Sequence, residues 1–408
     1  MMELLAPAGD MEKLKIAIDY GADAVYCAGP MFGLRTASKN FSNHQLEEGV
    51  RYAHERGKKV YLTMNIFAHN EDIDKLKGYL EEIKDIPLDA FIVSDPGVIH
   101  LLQDMYPDAV IHLSTQANTT NYASANFWYG QGVKRIILAR ELSLDEIKVI
   151  SEKTPEDMEL EAFVHGAMCI SYSGRCLLSN YMIGRDANRG ECAHPCRWKY
   201  ALVEEERPGE YFPVTEDERG TYIFNSKDLC MIHHIPQMAQ AGITSLKIEG
   251  RVKSSFYVAT VVSSYRRALD AYYLGDDLDE YAGKLEQELR KVSHRQFSTG
   301  FYFGRPDERG QNYETSQYNR EYTFLGIIES YDPVTKMAVI EQRNKMEIGD
   351  EIEVFGPEGD IFTQKIVTML DNRGLKIESA PHPQQIISMP MIKPVKAKYL
   401  LRKQKNML

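Results

Sequence analysis

Short apolar, β-branched runs recur along the first 250 residues and alternate with stretches whose apolar positions fall on one helical face. The runs predict strands at Glu3–Ala6, Ala24–Ala28, Lys59–Asn65, Ala90–Ser94, Val110–Ser114, Arg135–Ala139, Glu159–His165 and Ser245–Glu249. Between them, Asp10 and Asn70 stand as helix N-caps, the second followed by Ile73, Leu76, Leu80 and Ile83 on one face. Ser143 and Glu146 have the spacing of a capping box. Ser226 opens a helix carrying Leu229, Ile232, Ile235 and Met238, and Ser254 or Ser255 a longer one with Val258, Val261, Val262, Tyr265 and Leu269. Eight such units predict an α/β chain folded as a (β/α)8 TIM-type barrel, because each parallel strand pair needs a crossover helix. An open doubly wound sheet is the alternative, and the lack of a Gly-rich phosphate fingerprint weighs against it.

The pattern changes after Val292. Residues 296–321 read as a Gly- and aromatic-rich linker. Alternating strands are then expected at Thr323–Ser330, Met337–Gln342, Glu351–Val354, Phe362–Met369, Leu375–Glu378 and Met391–Lys393, separated by Asp-Pro, Gly-Asp, Gly-Pro and Asn-Arg-Gly turns. The expected organisation is a barrel over 1–295, a linker, and a small all-β barrel over 322–408 that ends in a basic tail. The barrel carries a long Cys-rich insertion after its seventh strand, over 165–230. Connections of that length are usually functional. Inside it, Tyr200–Val203 and Tyr222–Phe224 read as a hairpin around an acidic excursion, Glu204–Glu218.

In such barrels function gathers where strands end. The strand ends supply Asn65, Gln116, Arg140, His165 and Arg251, with Asn118 close by. Guanidinium forks suit carboxylates, which makes Arg35, Arg140, Arg175, Arg185 and Arg251 candidates for an anionic substrate. Amides at Asn65, Gln116 and Asn118 suit the edge of a nucleobase, and Tyr172 and Tyr181 can stack on one.

The net charge is −11, a poor match to bulk electrostatic binding of nucleic acid. The charge is uneven, however. From Pro381 onward there is no acid, whereas Lys393, Lys396, Lys398, Arg402, Lys403 and Lys405 are basic, so a tail that contacts phosphates competes with a solvated one. No apolar stretch reaches the length of a membrane span. The N-terminal residues lack a basic region and an apolar signal core, so the expectation is a cytoplasmic chain with reduced thiols.

Five of the six cysteines follow the spacing Cys169-x6-Cys176-x15-Cys192-x3-Cys196-x33-Cys230; the sixth, Cys27, ends the second predicted strand. Soft thiolates in such a tract indicate an iron–sulfur cluster, zinc or disulfides, with plain buried thiols as the bland reading. Reducing surroundings disfavour disulfides. The spacings are loose for zinc apart from the one short pair, Cys192 and Cys196.

The segment HGAMCISYSGRCLLSNYMIGRDANRGECAHPCRW resembles the signature of the collagenase-like peptidases, the U-type peptidase family 32. The opening ELLAPAGDMEKLKIAIDYGADAVYCAG, the NSKDLC segment at Asn225–Cys230 and the KIEGR segment at Lys247–Arg251 are similar too. Length and layout resemble the tRNA-hydroxylating branch, whose members make 5-hydroxyuridine at the wobble position without oxygen, depend on prephenate and are linked to an iron–sulfur cluster. Other branches hydroxylate ribosomal RNA cytidine or a ubiquinone precursor.

The resemblance implies a [4Fe–4S] cluster on Cys169, Cys176, Cys192 and Cys230, with Cys196 as the alternative to Cys230. It also implies prephenate as co-substrate, tRNA as partner, and a paralogous subunit, since some relatives act in pairs. His165, Arg251 and Tyr172 are then the catalytic candidates, His165 as proton carrier or as donor to a cluster sulfur. Arg175, Arg140, Arg35, Asn65 and Gln116 are the substrate-binding candidates. Peptidase chemistry has no HExxH or G-x-S-x-G motif to support it, and a Cys169–His165 pair would be its one thiol engine. A non-catalytic RNA-binding module with a structural cluster is the remaining alternative.

Overall fold

The computed structural model describes residues 1–32, 40–169, 172, 176–185, 187–189, 191–197, 201–202, 212–213, 227–304 and 319–405. The first part runs β1 (Glu3–Pro7), α1 (Met11–Asp19), β2 (Ala24–Cys27), α2 (Asn43–His54), β3 (Lys59–Met64), α3 (Asn70–Ile83), β4 (Ala90–Val93), α4 (Pro96–Met105) and β5 (Ile111–Leu113). It continues through α5 (Tyr122–Gly130), β6 (Val133–Ile137), α6 (Leu144–Glu152), β7 (Glu159–Ala167), α7 (Leu178–Ile183), β8 (Ala201–Leu202), β9 (Phe212–Pro213) and β10 (Asp228–Cys230). Then come α8 (Ile235–Gln240), β11 (Ser245–Ile248), α9 (Ser255–Leu274), α10 (Leu278–Arg290) and β12 (Phe297–Ser298).

β1 to β7 and β11 pair in parallel, and β11 bonds both β1 and β7, which closes the barrel. The eight strands are those the apolar runs predict. Their side chains are almost wholly buried, as expected of parallel strands covered by helices. Asp10, Ser143 and Ser254 cap α1, α6 and α9 through their side chains. At α3 the N-cap is His69 rather than Asn70; Asp72 accepts from the His69 amide.

The interior of the barrel is not wholly apolar. Arg135 of β6 bonds Glu3 of β1 at 2.5 Å and Glu161 of β7 at 3.2 Å, and Lys247 of β11 holds the other Glu161 oxygen at 2.6 Å. Tyr61 donates to Glu3 at 2.6 Å, and the His112 ring meets the Tyr61 ring edge-on at 4.7 Å. Each of these four charges therefore has an opposite charge within hydrogen-bond reach, which buried ions require.

Three expectations near the insertion need correction. The helix expected from Ser226 starts only at Ile235, because residues 228–230 are drawn into a strand antiparallel to β7, with Cys230 opposite His165. Phe297–Ser298, expected in the linker, pairs with β10, and Tyr302 is buried with its hydroxyl on the Phe163 carbonyl at 2.6 Å. Ala201–Leu202 pairs with Phe212–Pro213, so the hairpin closes on a nearer strand than expected; residues 222–224 and most of the acidic excursion lie outside the described residues.

The remainder is an antiparallel sheet domain: β13 (Tyr322–Asp332), β14 (Met337–Gln342), β15 (Met346–Glu347), β16 (Glu351–Phe355), β17 (Ile361–Lys365), β18 (Met369–Leu370), β19 (Lys376–Ile377), β20 (Ser379–Ala380), β21 (Ile386–Pro390) and β22 (Leu400–Gln404). Residues 391–393, expected as a strand, are not one: the strand there is β21, which ends at Pro390 because its partner β14 begins opposite it at Met337, and the strand expected over 362–369 divides into β17 and β18.

The larger correction is at the C-terminus. The basic tail is β22, hydrogen-bonded between β13 and β16. Its Arg402 is fully buried against Glu288 of α10 at 2.6 Å and Glu353 of β16 at 2.8 Å. Lys398 pairs with Asp19 of α1, Lys396 with Glu358 and Lys403 with Asp350. These cations hold the domain to itself and to the barrel. The Phe324 ring stacks on Phe256 of α9, and Arg343 reaches Glu12 of α1 at 2.5 Å. Among the described residues no helix is long and apolar enough to cross a membrane.

Candidate functional site

The C-terminal ends of the barrel strands open into a cavity of about 880 Å³, lined by strand ends, the insertion and the edge of the sheet domain. β3 and the turn after it give Thr63 and Asn65; the turn after β5 gives Ser114, Thr115 and Gln116; Arg140 follows β6. β11 and its loop supply Lys247, Glu249, Arg251 and Lys253. Gly166 lets the β7 and β11 ends approach: a Cβ there, at φ +111°, would lie 2.7 Å from the Glu249 carbonyl.

Arg251 is buried and donates to Thr63 Oγ1 at 2.9 Å and Asn40 Oδ1 at 3.3 Å. Arg140 is 9% exposed, lies over the Phe163 ring at 4.1 Å and gives one N–H to the Ala167 carbonyl at 2.8 Å. Among the described residues no carboxylate meets it, and its Nε has no partner. Asn65 Oδ1 and Gln116 Oε1 also lack a donor, although Asn65 Nδ2 bonds Ser114 at 3.2 Å. Buried polar atoms without partners are rare in folded proteins, and a group of them around one cavity marks a place for a polar ligand. The amides present acceptors and Arg140 a donor.

Lys247 stands over the Tyr26 ring at 4.5 Å. Burial pulls its ammonium below the usual lysine range against the attraction of Glu161. The described lining holds six cationic side chains (Arg140, Lys247, Arg251, Lys253, Arg320 and Lys405) and one carboxylate, Glu249. That local excess is opposite in sign to the net charge of the chain.

The insertion covers one side. The Phe67 amide bonds the Asn188 carbonyl at 3.4 Å, and Ala187 and Asn188 line the cavity with Tyr172. Four thiols lie in the same lining: Cys169, Cys176, Cys192 and Cys196. The His194 amide donates to Cys192 Sγ at 3.4 Å, and backbone donors of this kind stabilise a sulfur that carries negative charge. Cys230 lies on β10 outside this lining, buried, with burial pushing its thiol up to about 12 and the Tyr265 hydroxyl 3.9 Å from its sulfur. Cys27 is also buried, its thiol likewise raised to about 12 by burial. Among the described residues no three His, Cys, Asp or Glu side chains converge as a metal site. The described donors of the wall, four thiols and His194 with no carboxylate, are nonetheless those of soft metals and iron–sulfur groups rather than of hard cations.

Of the residues read from sequence, the cavity gathers Asn65, Gln116, Arg140, Cys169, Tyr172, Cys176, Cys192, Cys196 and Arg251. His165 is buried among the rings of Tyr257, Tyr265 and Phe297 and does not line it; burial, with Lys253 and His294 nearby, lowers its imidazole to about 3. Tyr181, Arg185 and Asn118 are not in the lining either, Tyr181 being 85% exposed. Arg35 and Arg175 lie outside the described residues. Sequence reading missed Lys247, Lys253 and Arg320 as site residues and placed Lys405 only in the basic tail. Lys247 had a signal, since it stands between Leu246 and Ile248 on a barrel strand, where alternate residues face inward.

Residues 9–312 match the profile of peptidase family U32, and 320–402 that of the peptidase family U32 C-terminal domain. Over 99% of this chain and 95% of the relative's length, the sequence is 43% identical to tRNA hydroxylation protein P1 of Bacillus subtilis. It is 37% identical to tRNA hydroxylation protein P of Escherichia coli, over 98% and 96%. A protein named collagenase from Porphyromonas gingivalis is 32% identical, over 89% of each chain.

Proposed function

Because the chain belongs to peptidase family U32, we propose that it hydroxylates a tRNA uridine, the wobble uridine, to 5-hydroxyuridine, with prephenate as co-substrate and a thiolate-held [4Fe–4S] cluster. One observation carries the reading: an acidic protein concentrates six cations against one carboxylate in a single cavity with a four-thiol wall. A polyanionic substrate accounts for the cations, and the thiols accommodate a redox group. The full-length similarity to proteins named for tRNA hydroxylation supports the choice of substrate.

Three thiols of that wall, Cys169, Cys176 and Cys192, would hold the cluster together with Cys230 of β10, which leaves Cys196 as the wall's spare thiol. When bound, such a group supplies one-electron redox capacity beside the substrate. The protein's own residues do the rest. Arg140, fixed by the Ala167 carbonyl and the Phe163 ring, presents its free Nε–H to an anionic oxygen. Arg251, held by Thr63 and Asn40, offers a second guanidinium to a dicarboxylate such as prephenate. Asn65 and Gln116 accept from the N–H edge of a pyrimidine, and Tyr172 covers its face.

Complementation tests this directly. A host lacking 5-hydroxyuridine synthesis is given this gene or its Cys169→Ala form, and tRNA nucleosides are measured by mass spectrometry. 5-Hydroxyuridine restored by the unaltered gene alone is the expected result. Gelatin cleavage by the purified chain, with no hydroxylated nucleoside, would turn the reading to hydrolysis.

A further inference from the structure

The cavity is completed by the sheet domain, which contributes Arg320, Tyr322, Thr323, Phe324, Asn344 and Lys405 to its lining. These residues belong to one end of the β13–β22 ladder and the turn after β14. Tyr322 pairs with Gln404, and the Lys405 amide bonds the Glu321 carbonyl at 2.7 Å. Arg320 and Lys405 thus flank the same end of two adjacent strands, both exposed.

Their electrostatic state sets them apart. Lys396, Lys398, Arg402 and Lys403 each meet a carboxylate, as do Arg343, Lys345 and Arg373. Arg320 and Lys405 meet none among the described residues. Exposed cations elsewhere in the domain, such as Lys365 and Lys376, lie away from the cavity. The wall itself is fixed: the Phe256–Phe324 stack pins β13 to α9, the Arg402–Glu288 pair pins β22 to α10, and the Arg343–Glu12 pair pins the turn after β14 to α1. Two cations that meet no carboxylate among the described residues, on a pinned rim beside a cavity of about 880 Å³, are placed to meet phosphates outside it.

We propose that the C-terminal sheet domain is the backbone clamp of the site: Arg320 and Lys405 hold phosphates flanking the nucleotide whose base enters the cavity. This rests on the RNA reading above and deepens it. The barrel and insertion act on the base, and the sheet domain sets which stretch of strand can present it. Phosphate contacts of this kind position a strand without reading its sequence.

The test is the salt dependence of binding of an unmodified tRNA transcript to the full-length protein. Three forms are compared: unaltered, Arg320→Ala/Lys405→Ala, and the control Lys365→Ala/Lys376→Ala, which removes the same charge away from the cavity. Each phosphate contact contributes about 0.7–0.9 to the slope of log affinity against log salt. Loss of two contacts should lower the slope by about 1.5 and shrink the affinity lost between 50 and 200 mM salt by roughly tenfold. The control should keep the unaltered slope, and all three should keep the same melting temperature.

A double variant that behaves like the control overturns the clamp while leaving the RNA reading standing. An unaltered protein with no salt-dependent affinity for tRNA overturns both. A double variant that loses gelatin binding but keeps its tRNA slope would assign this wall to a peptide and likewise overturn the clamp.

Discussion

Arg140 and His112 show what single residues contribute to the site and to the barrel beneath it. Among the described residues no carboxylate meets the buried Arg140 guanidinium, a costly arrangement unless a bound anion completes it. Arg140→Ala should lower kcat/KM roughly ten- to hundredfold, about 1.5–3 kcal/mol for a charge-assisted bond. Arg140→Lys should recover only part of this, because the fork is lost; steady-state kinetics with varied co-substrate measures both. His112 is held well below its ordinary 6.5 by burial and by Arg135, Lys247 and Lys59. A depressed pKa means that the unfolded chain takes up a proton first as pH falls through 6.5, so the fold loses stability from there downward. His112→Leu should flatten that acid arm by up to about 1.4 kcal/mol per pH unit, read from urea melts between pH 7 and pH 5. Sequence made the rim residues legible because each follows an apolar strand directly. It did not reveal that His165 is enclosed by rings, because those come from α9 and the strand after α10, about 100 residues away in sequence for Tyr265.

The elements explain why some of the fold could be read and some could not. The eight barrel strands are continuous apolar runs buried on both faces, so their signal is local. β22 is hidden by its charges. Arg402 looks solvated in sequence and is buried only because Glu288 and Glu353 come from other elements. Arg402→Ala would leave Glu288 and Glu353 to share Lys291 and should cost about 1.5–3 kcal/mol, visible as a lowered chemical-denaturation midpoint. Removing Lys393–Leu408 should unfold the sheet domain rather than trim a tail, because β22 lies between β13 and β16. β10 was missed for a related reason: Leu229, Ile232, Ile235 and Met238 fit a helical face, and pairing with β7 overrides it. At the β7 end, Gly166→Ala places a Cβ at positive φ against the Glu249 carbonyl. About 2 kcal/mol or more should be lost, with the thiols of the insertion becoming more reactive toward alkylating reagents.

Across the whole molecule, the three parts face one volume from three sides. The barrel supplies a cationic floor with unmet hydrogen-bonding atoms, the insertion a thiol wall, and the sheet domain a cationic rim. Charge composition alone pointed away from nucleic acid, since the acids that make the chain −11 overall are distributed elsewhere. The convergence of Arg320 and Lys405 with residues of the barrel depends on how two domains pack, which no local pattern encodes. The central claim is that three thiols of that wall, with Cys230 of β10, hold the redox group on which RNA hydroxylation depends. Its most direct test is anaerobic purification with iron and sulfide analysis of the unaltered chain and of Cys→Ala variants at 169, 176, 192, 196 and 230, each assayed for 5-hydroxyuridine formation on tRNA. The account predicts about four irons and four sulfides per chain, lost together with hydroxylation in the variants at Cys169, Cys176, Cys192 and Cys230 and kept in Cys196→Ala. Zinc or no metal in the unaltered chain, or hydroxylation that survives loss of the iron, would contradict it.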